Sequence, residues 1–488
     1  MRNAMNGTPS SWTARVISAF ALLAGLAAVG GIETRSAFAT EIFSVGIDGG
    51  PDTSAQQQTE VRDENGDMVK VVPVGEQRMM EALPGLADAS IPQFGAGSPL
   101  FASQGLVAEV EPNGTPATAT PIGSNAVATG SIFPTGDVDV WGLALNGGDR
   151  VYVATGGGAD TASFGETLLE LLDSDGVTVL ESDDDDGVQM PLSSTIAGRV
   201  IPGAGAKTVY IRVKGSGAFP TSQVRPYQLH VRVQSGSPTS EAAENNDAVI
   251  QTLPAGGWVS GSQNSAADLQ DNWAITLSAG DTVYLSADWD PERDGTTHDG
   301  IIAFGPFGDA PGSLVALNDT STTSPNSDAA FWTVKNAGTY QITVSSATAF
   351  SPTAPHTYML SVSVHPAAAE GVNCTTYSVG GLSIPIGPGA TSFPTPITST
   401  ISVPGPSPRR IADLNVSIQL NHDLMADLDV HLKSPAGNNN GLFTDIGETA
   451  AGGQRSMDLM LDDEAASPIA LLKTLSGVQV MPEMDYRL

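Results

Sequence analysis

The sequence repeats itself at a nearly constant interval, and this repeat limits the folds that the chain can adopt. Four pairs of aromatic residues recur in one order at separations of 130 to 132 positions: Trp141 and Trp273, Tyr152 and Tyr284, Tyr210 and Tyr340, Tyr227 and Tyr358. Several matched positions at almost one offset predict two tandem copies of one domain.

Each copy consists of short runs in which apolar and polar residues alternate. The runs YQLHVRV at 227–233 and YMLSVSV at 358–364 both open on a repeated tyrosine. A period of two is typical of β-strands, because it puts one set of side chains on a core face. Glycine (54) and proline (33) are plentiful and mark turns between the runs. We predict an all-β chain of three tandem β-sandwich or jelly-roll modules, after a signal peptide and a mostly disordered N-terminal region.

The start of the chain predicts export. Arg2 and Arg15 precede an apolar run at 16–30, and Ala37-Phe38-Ala39 offers a small-x-small cleavage site, so 1–39 is predicted to be a signal peptide. An uncleaved membrane anchor is the alternative, although the run falls short of the roughly 20 residues of a span. Residues 40–107 lack a sustained period and are predicted to be a linker of low order. The three modules are placed at 108–235, 240–366 and 373–488.

Charge and cysteine content limit the partners and the compartment. The net charge of −32 excludes nucleic acid, because phosphate binding needs basic patches. Cys374 is the only cysteine, so an intrachain disulfide and a four-cysteine zinc site are both excluded. We predict a secreted or cell-surface protein, extracellular or periplasmic, with no membrane span in the mature chain.

The first copy carries motifs in a fixed order: EPNG at 111–114, GDVDVW at 136–141, LLDSDG at 171–176 and KTVYIRV at 207–213. In these motifs it resembles the bacterial pre-peptidase C-terminal domain, a β-sandwich found beside secreted peptidases. The second copy keeps the aromatic framework, but its motifs are degraded. The resemblance covers about 108–234, and more weakly 240–365.

The segment 411–437 contains two alternating runs with an acidic turn between them, which predicts a hairpin. Its portion LMADLDVHLKSPAG at 424–437, with LDDEA at 461–465, resembles the P domain of proprotein convertases. The resemblance implies a jelly-roll-like module that packs on a subtilisin-type serine protease domain and stabilises it. That family's last strands have no counterpart here, so the module is predicted to be C-terminally incomplete, or else to have an unpaired edge.

The sequence contains no recognisable catalytic motif. Neither the local sequences of a subtilisin-type triad nor a Gly-x-Ser-x-Gly elbow occurs, and no histidine pair forms His-Glu-x-x-His. Asp427, Asp429 and His431 would lie on one face of a strand near His422. A metal cluster is one reading of this row, and a solvated strand face is the interpretation we adopt. We assign no catalytic residue.

Calcium is the candidate cofactor. Glu109, Glu111 and Asn113 alternate in one extended segment, and Asp137 and Asp139 in another. If the two segments pair, five oxygen donors converge, and calcium takes six to eight. In the collagenase-type members of the pre-peptidase C-terminal domain family, acids and an asparagine at the matching positions bind calcium. The resemblance to that family therefore implies the same five residues as ligands. An acidic edge without an ion is the alternative.

The second copy serves as an internal control for this site. A shift of 133 positions places Ala242 at the Glu109 position and Glu244 at the Glu111 position, and the 132-position offset of the tryptophans puts Leu269 where Asp137 was. On this alignment two carboxylates are lost, so the second copy is predicted to bind calcium weakly or not at all. The stretch 290–295 imitates an EF-hand loop, but it lacks the glutamate at position twelve and is not assigned as a site.

Two functions follow from these resemblances. The first is the non-catalytic ancillary region of a secreted protease system, associated with serine-type endopeptidase activity and proteolysis, whose partner is a peptidase domain. The second is a calcium-dependent extracellular binding or adhesion protein, whose partner is an extracellular protein or glycan.

Overall fold

The computed structural model confirms the all-β prediction. The residues that it describes are 14–22, 38–49, 60–62, 68–70, 76–80, 106–156, 167–184, 193–215, 224–242, 249–263, 268–295, 300–307, 314–318, 326–346, 356–367, 374–382, 397–406, 414–422, 424–444, 446–447, 456–462, 465–469, 472 and 484–486. Their regular structure is strand, apart from short 3-10 turns that include Pro116–Thr118 and Met425–Asp427. The described part contains no helix long and apolar enough to cross a bilayer.

Five strands precede the first module: β1 (Ala14–Leu22), β2 (Phe38–Gly49), β3 (Glu60–Arg62), β4 (Met68–Lys70) and β5 (Glu76–Met80). β1 lies inside the predicted signal peptide, so its pairing belongs to the uncleaved chain. β2 to β5 lie wholly or mostly in the predicted linker, and the boundaries of both regions stay predictions.

The first module is formed by β6 (Val107–Ala108), β7 (Thr120–Ile122), β8 (Asn125–Ile132), β9 (Val138–Asn146), β10 (Arg150–Gly156), β11 (Thr167–Leu172), β12 (Val179–Asp183), β13 (Thr195–Val200), β14 (Ala206–Gly215) and β15 (Val224–Gln234). They make two five-stranded sheets, ordered β13-β10-β15-β8-β6 and β12-β11-β14-β9-β7. Apolar residues of both sheets, among them Trp141, Val151 and Ile211, form one buried core. Two sheets around one core make a sandwich.

The second module is formed by β16 (Thr239–Ser240), β17 (Ile250–Thr252), β18 (Trp258–Gln263), β19 (Gln270–Leu277), β20 (Thr282–Asp288), β21 (Gly300–Pro306), β22 (Leu314–Asn318), β23 (Ser327–Val334), β24 (Gly338–Ser346) and β25 (His356–His365). Its strands follow the orders β23-β20-β25-β18-β16 and β22-β21-β24-β19-β17. Each strand of the first module thus has a counterpart ten strands later, which is the structural form of the sequence repeat.

The third module is formed by β26 (Cys374–Leu382), β27 (Ile397–Pro406), β28 (Leu414–Asn421), β29 (Leu428–Lys433), β30 (Asn439–Thr444), β31 (Ser456–Leu461) and β32 (Met484–Tyr486). β1 lies between β26 and β28, and β2 lies between β27 and β29. β32 pairs with β31 and also with β23, so the second and third modules share one ten-stranded sheet. The edge of β31 is therefore covered.

The predicted hairpin at 411–437 is wrong in one respect. Both strands form, and Leu428 and Val430 are buried while Asp429 and His431 are half-buried, as the alternation predicts. However, β28 pairs with β1 and β31, whereas β29 pairs with β2 and β30. The two strands lie in different sheets because the 3-10 turn between them buries Met425 and Ala426 and carries the chain across the core. Asp423 lies outside the described residues.

Candidate metal site

The candidate site lies at one end of the first sandwich, where the chain crosses from one sheet to the other. The backbone N–H of Glu109 donates to the Thr129 carbonyl oxygen (3.0 Å) in the sheet that contains β8. Four residues later, the Asn113 carbonyl oxygen accepts a hydrogen bond from the Val140 N–H (3.1 Å) in the other sheet. The segment 109–113 is therefore fixed at both ends and closes this end of the core.

Asp139 is buried because of its place in β9. With a period of two, Asp139 belongs to the row of Trp141, Leu143 and Leu145, all of which face the core. Asp139 is the first member of that row, so its carboxylate lies at the end of the sandwich, beneath the segment 109–113. The side chain is fully buried (0% exposed).

Three carboxylates meet at this end. Oxygen atoms of Glu109, Glu111 and Asp139 lie within 4.8 Å of one another. Glu109 is half-buried and Glu111 is exposed, so the cluster runs from the core to the solvent. Oxygen-rich clusters of this kind suit a hard divalent cation such as calcium.

Asn113 completes the cluster and is its most informative member. The side chain is fully buried (0% exposed), and neither its Oδ1 nor its Nδ2 hydrogen-bonds to a described group outside the cluster. One oxygen each of Glu109 and Asp139 is also buried, with only other members of the cluster beside it. Buried polar atoms are nearly always well paired, so a buried group of oxygens that have only one another as partners suits a ligand. The oxygen donors therefore fit a divalent cation.

Asp137, the fifth predicted ligand, is used differently. Its Oδ2 accepts a hydrogen bond from the Phe133 N–H and its Oδ1 from the Val138 N–H, both at 2.9 Å. These bonds hold the 133–137 turn, and Asp137 is not among the three clustered acids. The structure thus brings together Glu109, Glu111, Asn113 and Asp139, and it places Asp137 in the adjoining turn.

A tyrosine that the sequence analysis noted only as a repeat marker also belongs to the site. The Tyr227 hydroxyl donates to Asp139 Oδ2 (2.7 Å) and accepts from Trp141 Nε1 (3.0 Å). The tyrosine and the tryptophan both recur in the second copy, where an aspartate again stands two positions before the tryptophan. This recurrence could have linked Tyr227 to the site from the sequence alone. The chain of bonds holds Asp139 Oδ2 and leaves Oδ1 facing the cluster.

The pKa values of Asp139 and Glu109 in the cluster are raised, as expected for buried carboxyl groups that lie close together. Burial is the main cause that raises the pKa of Asp139 to about 8; the Tyr227 hydrogen bond acts in the opposite direction, and the charges of Glu109 and Asp137 add to the rise. Burial likewise raises the pKa of Glu109. A bound cation reverses this, because positive charge favours the ionised carboxylates.

The second sandwich corrects the sequence alignment at this position. The Glu241 N–H donates to the Ser260 carbonyl oxygen (2.9 Å), as Glu109 does to Thr129. Glu241 therefore takes the Glu109 position, and the shift of 133 that placed Ala242 there is wrong by one residue. The cause is register: a slip of one position exchanges the two faces of an extended segment.

Comparison with known proteins identifies no family. No family model and no curated protein matches the chain. Similar solved structures include PliG of Aeromonas hydrophila, a periplasmic inhibitor of g-type lysozyme, at 16% identity over 26% of this chain and 97% of that chain, with a TM-score of 0.18. Another is the CUB1-EGF-CUB2 fragment of rat MASP-1, at 11% identity over 50% and 99%, with a TM-score of 0.14. Similarity this low carries no argument about fold or function.

Proposed function

We propose that this chain is the non-catalytic, calcium-stabilised part of an exported protease system, in which it stabilises or targets a peptidase. The observation that carries the calcium proposal is the buried amide of Asn113, which has no hydrogen-bond partner outside the cluster among the described residues, beside three clustered acids. The link to a serine-type endopeptidase is supported by the motifs that resemble the pre-peptidase C-terminal and P domains.

The proposed ion has a structural role. Glu109, Glu111 and Asn113 come from the segment that closes the sandwich, while Asp139 belongs to β9. When bound, calcium supplies the positive charge that these four oxygen donors, three of them buried or half-buried, otherwise lack. Because the donors come from two parts of the chain, binding cross-links the closing segment to the sheet below it.

Thermal unfolding of the full chain, in EDTA and in millimolar calcium, tests this role. We expect calcium to raise the melting temperature of the wild type, since a ligand at 100 times its Kd stabilises by about 2.7 kcal/mol. Asp139→Asn and Asn113→Ala should each remove most of the shift. Asp175→Asn, which changes an exposed turn acid of the same module, is the control and should keep it. Equal shifts in wild type and Asp139→Asn would overturn the calcium proposal.

Two measurements test the peptidase association. The natural reading frame around this sequence is expected to encode a catalytic domain beyond Leu488, and a stop codon there would count against the association. The purified chain is expected to leave casein intact. Cleavage of casein that a serine-hydrolase inhibitor stops would make the chain itself a peptidase and would contradict the proposal.

A second candidate function is calcium-dependent binding to an extracellular protein or glycan. The observation in its favour is that Val110 (66% exposed) and Phe133 (47% exposed) flank the acidic cluster on the outside. Exposed apolar side chains beside an ion site suit contact with a partner. Binding to immobilised matrix protein, abolished by both EDTA and a Val110→Ser, Phe133→Ser double variant, would favour this candidate. Unchanged binding in that variant would exclude this surface.

A further inference from the structure

The second sandwich holds its own pair of carboxyls at the equivalent place. Asp271 stands opposite Val344 in the sheet, as Asp139 stands opposite Val213. It is almost fully buried (1% exposed), in the row of Trp273, Ile275 and Leu277. Glu241 reaches it from the end of β16 and is half-buried. The carboxyl pair is thus common to both modules.

The surroundings of the pair differ between the modules. Leu269 replaces Asp137, and Ala243, at the Glu111 position on the corrected alignment, lies outside the described residues. Within the described part of the chain, three acids lie within ligand distance only in the first module. The aromatic residues are the same: Tyr358 lies beside Trp273 and Asp271, as Tyr227 lies beside Trp141 and Asp139.

Asp271 has Tyr358 and Glu241 as polar neighbours. Both of its carboxyl oxygens, and one of Glu241, are buried, and among the described residues no group outside this set donates a hydrogen bond to them. Glu241 Oε1 accepts the Ser262 N–H (2.6 Å), which fixes that side chain toward the interior. Tyr358 is 1% exposed and lies beside Asp271, whose charge raises the tyrosine pKa. The pocket is polar and buried, and its two carboxyl groups need either one cation or one proton to balance their charge.

Charge decides between the two. Among the described residues, the titratable groups that act most on the pKa of Asp271 are Glu241, Tyr358 and Asp268, and none of these three is a cation. Two ionised carboxylates in a buried site repel each other strongly, and a close pair relieves this by keeping one proton. Burial, followed by the neighbouring Glu241, raises the pKa of Asp271 to about 9.

We propose that Glu241 and Asp271 form a proton site, in which the two carboxyls of the second sandwich hold one acid proton between them at neutral pH. The proton is taken up from solvent on folding. The proposal does not depend on calcium binding in the first module.

The consequence for stability has a definite sign. A carboxyl whose folded pKa lies above its unfolded value of about 4 stabilises the fold at low pH and loses that contribution as pH rises through the folded pKa. One shared proton makes the unfolding equilibrium constant rise by about tenfold per pH unit between about pH 5 and pH 9. In Asp271→Asn the amide cannot ionise, so the contribution of this proton to the pH dependence of stability should disappear.

Infrared difference spectroscopy on the calcium-loaded full chain at pH 7.5 tests the proposal directly. We expect the wild type to show the absorption band of a protonated carboxyl group, and we expect Asp271→Asn to lose it. Asp175→Asn is the control and should keep the band, because Asp175 has a pKa of about 2 and is ionised at this pH. Glu241→Gln gives a second variant, from a half-buried position, should Asp271→Asn fold poorly. It removes the neighbouring charge but not the burial of Asp271, so the one-proton slope of stability against pH should end at a lower pH than in the wild type.

Two results would overturn the proposal. One is the absence of the band from the wild type at pH 7.5. The other is a band that belongs to Asp271, is present in EDTA and disappears when calcium is added. That result would make the pair a second cation site. Asp271→Asn and Glu241→Gln leave the first module unaltered. Failure of the proton proposal is therefore distinguishable from failure of the calcium proposal, which is tested through Asp139.

Discussion

At the residue scale, two equivalent glycines decide where the repeated tyrosines lie. A Cβ at Gly130 would overlap the ring of Tyr227, and a Cβ at Gly261 would overlap the ring of Tyr358. Both tyrosines are 1% exposed and so have no room to move aside. The tyrosine spacing was visible in the sequence, but the glycine beneath each ring was not, because the contact crosses between neighbouring strands.

Gly261→Ala is predicted to destabilise the second module by about 1–3 kcal/mol, because the added methyl group overpacks a filled core. Denaturant unfolding measures the loss. Gly338→Ala is the matched control, since nothing lies within 4 Å of its Cβ position, and it should change stability by less than 0.5 kcal/mol. Equal losses for the two variants would contradict the packing argument.

At the scale of single elements, cross-strand pairs on the outer face stabilise the first sandwich. Glu170 of β11 stands opposite Arg212 of β14 and accepts a hydrogen bond from its Nε (2.6 Å). Lys214 Nζ lies 3.0 Å from the same carboxylate. Burial alone would raise the pKa of Glu170, but the hydrogen bonds and charges of Arg212 and Lys214 outweigh it, so the pKa is lowered.

Glu170→Gln is predicted to cost about 1 kcal/mol at pH 7, a value kept small because both cations remain partly exposed. A lowered carboxyl pKa stabilises the fold above the unfolded pKa, and the contribution is lost as pH falls through the folded value. Wild type and variant should therefore converge at acid pH. Unfolding measured from pH 7 downward checks this, and a difference that stays constant to pH 2 would contradict the ion-pair argument.

At the scale of the whole molecule, Arg293 joins the first two modules. It has a left-handed backbone (φ 55°) in the stretch 290–295, which the sequence suggested only as a failed EF-hand. Its guanidinium donates to the buried Asp288 (2.6 Å) of the second module and to the Ala197 carbonyl oxygen (2.6 Å) of the first. Glu181 of the first module lies 3.4 Å away.

Aromatic and hydroxyl contacts extend this interface. His230 of the first module stacks on Phe331 of the second at 4.1 Å, and Trp258 Nε1 donates to the Tyr152 hydroxyl at 3.0 Å. Because β32 also joins β23 to the third module, the three modules are in continuous contact.

Arg293→Ala is predicted to destabilise the contact between the first two modules by about 3–5 kcal/mol, since among the described residues it leaves the buried Asp288 with only one charged partner, Arg150 at 3.6 Å, besides the Asp290 N–H. Differential scanning calorimetry should show the unfolding transitions of the two modules moving apart. Arg199→Ala is the control, because Arg199 lies 3.8 Å from Glu181 and is 31% exposed, and it should cost under 1 kcal/mol. A single unchanged transition in Arg293→Ala would contradict the role of this residue.

The sequence by itself determined the strands, the repeat and the acids of the candidate site. Alternation and repeat spacing are local properties, so they predicted β-sandwiches and singled out five oxygen donors on two extended segments: Glu109, Glu111, Asn113, Asp137 and Asp139. Only the tertiary structure decided which of these meet, because a period of two fixes the face of a side chain but not the strand across from it. For that reason Asp137 caps a turn, Glu241 replaces Ala242, and β28 and β29 lie in opposite sheets.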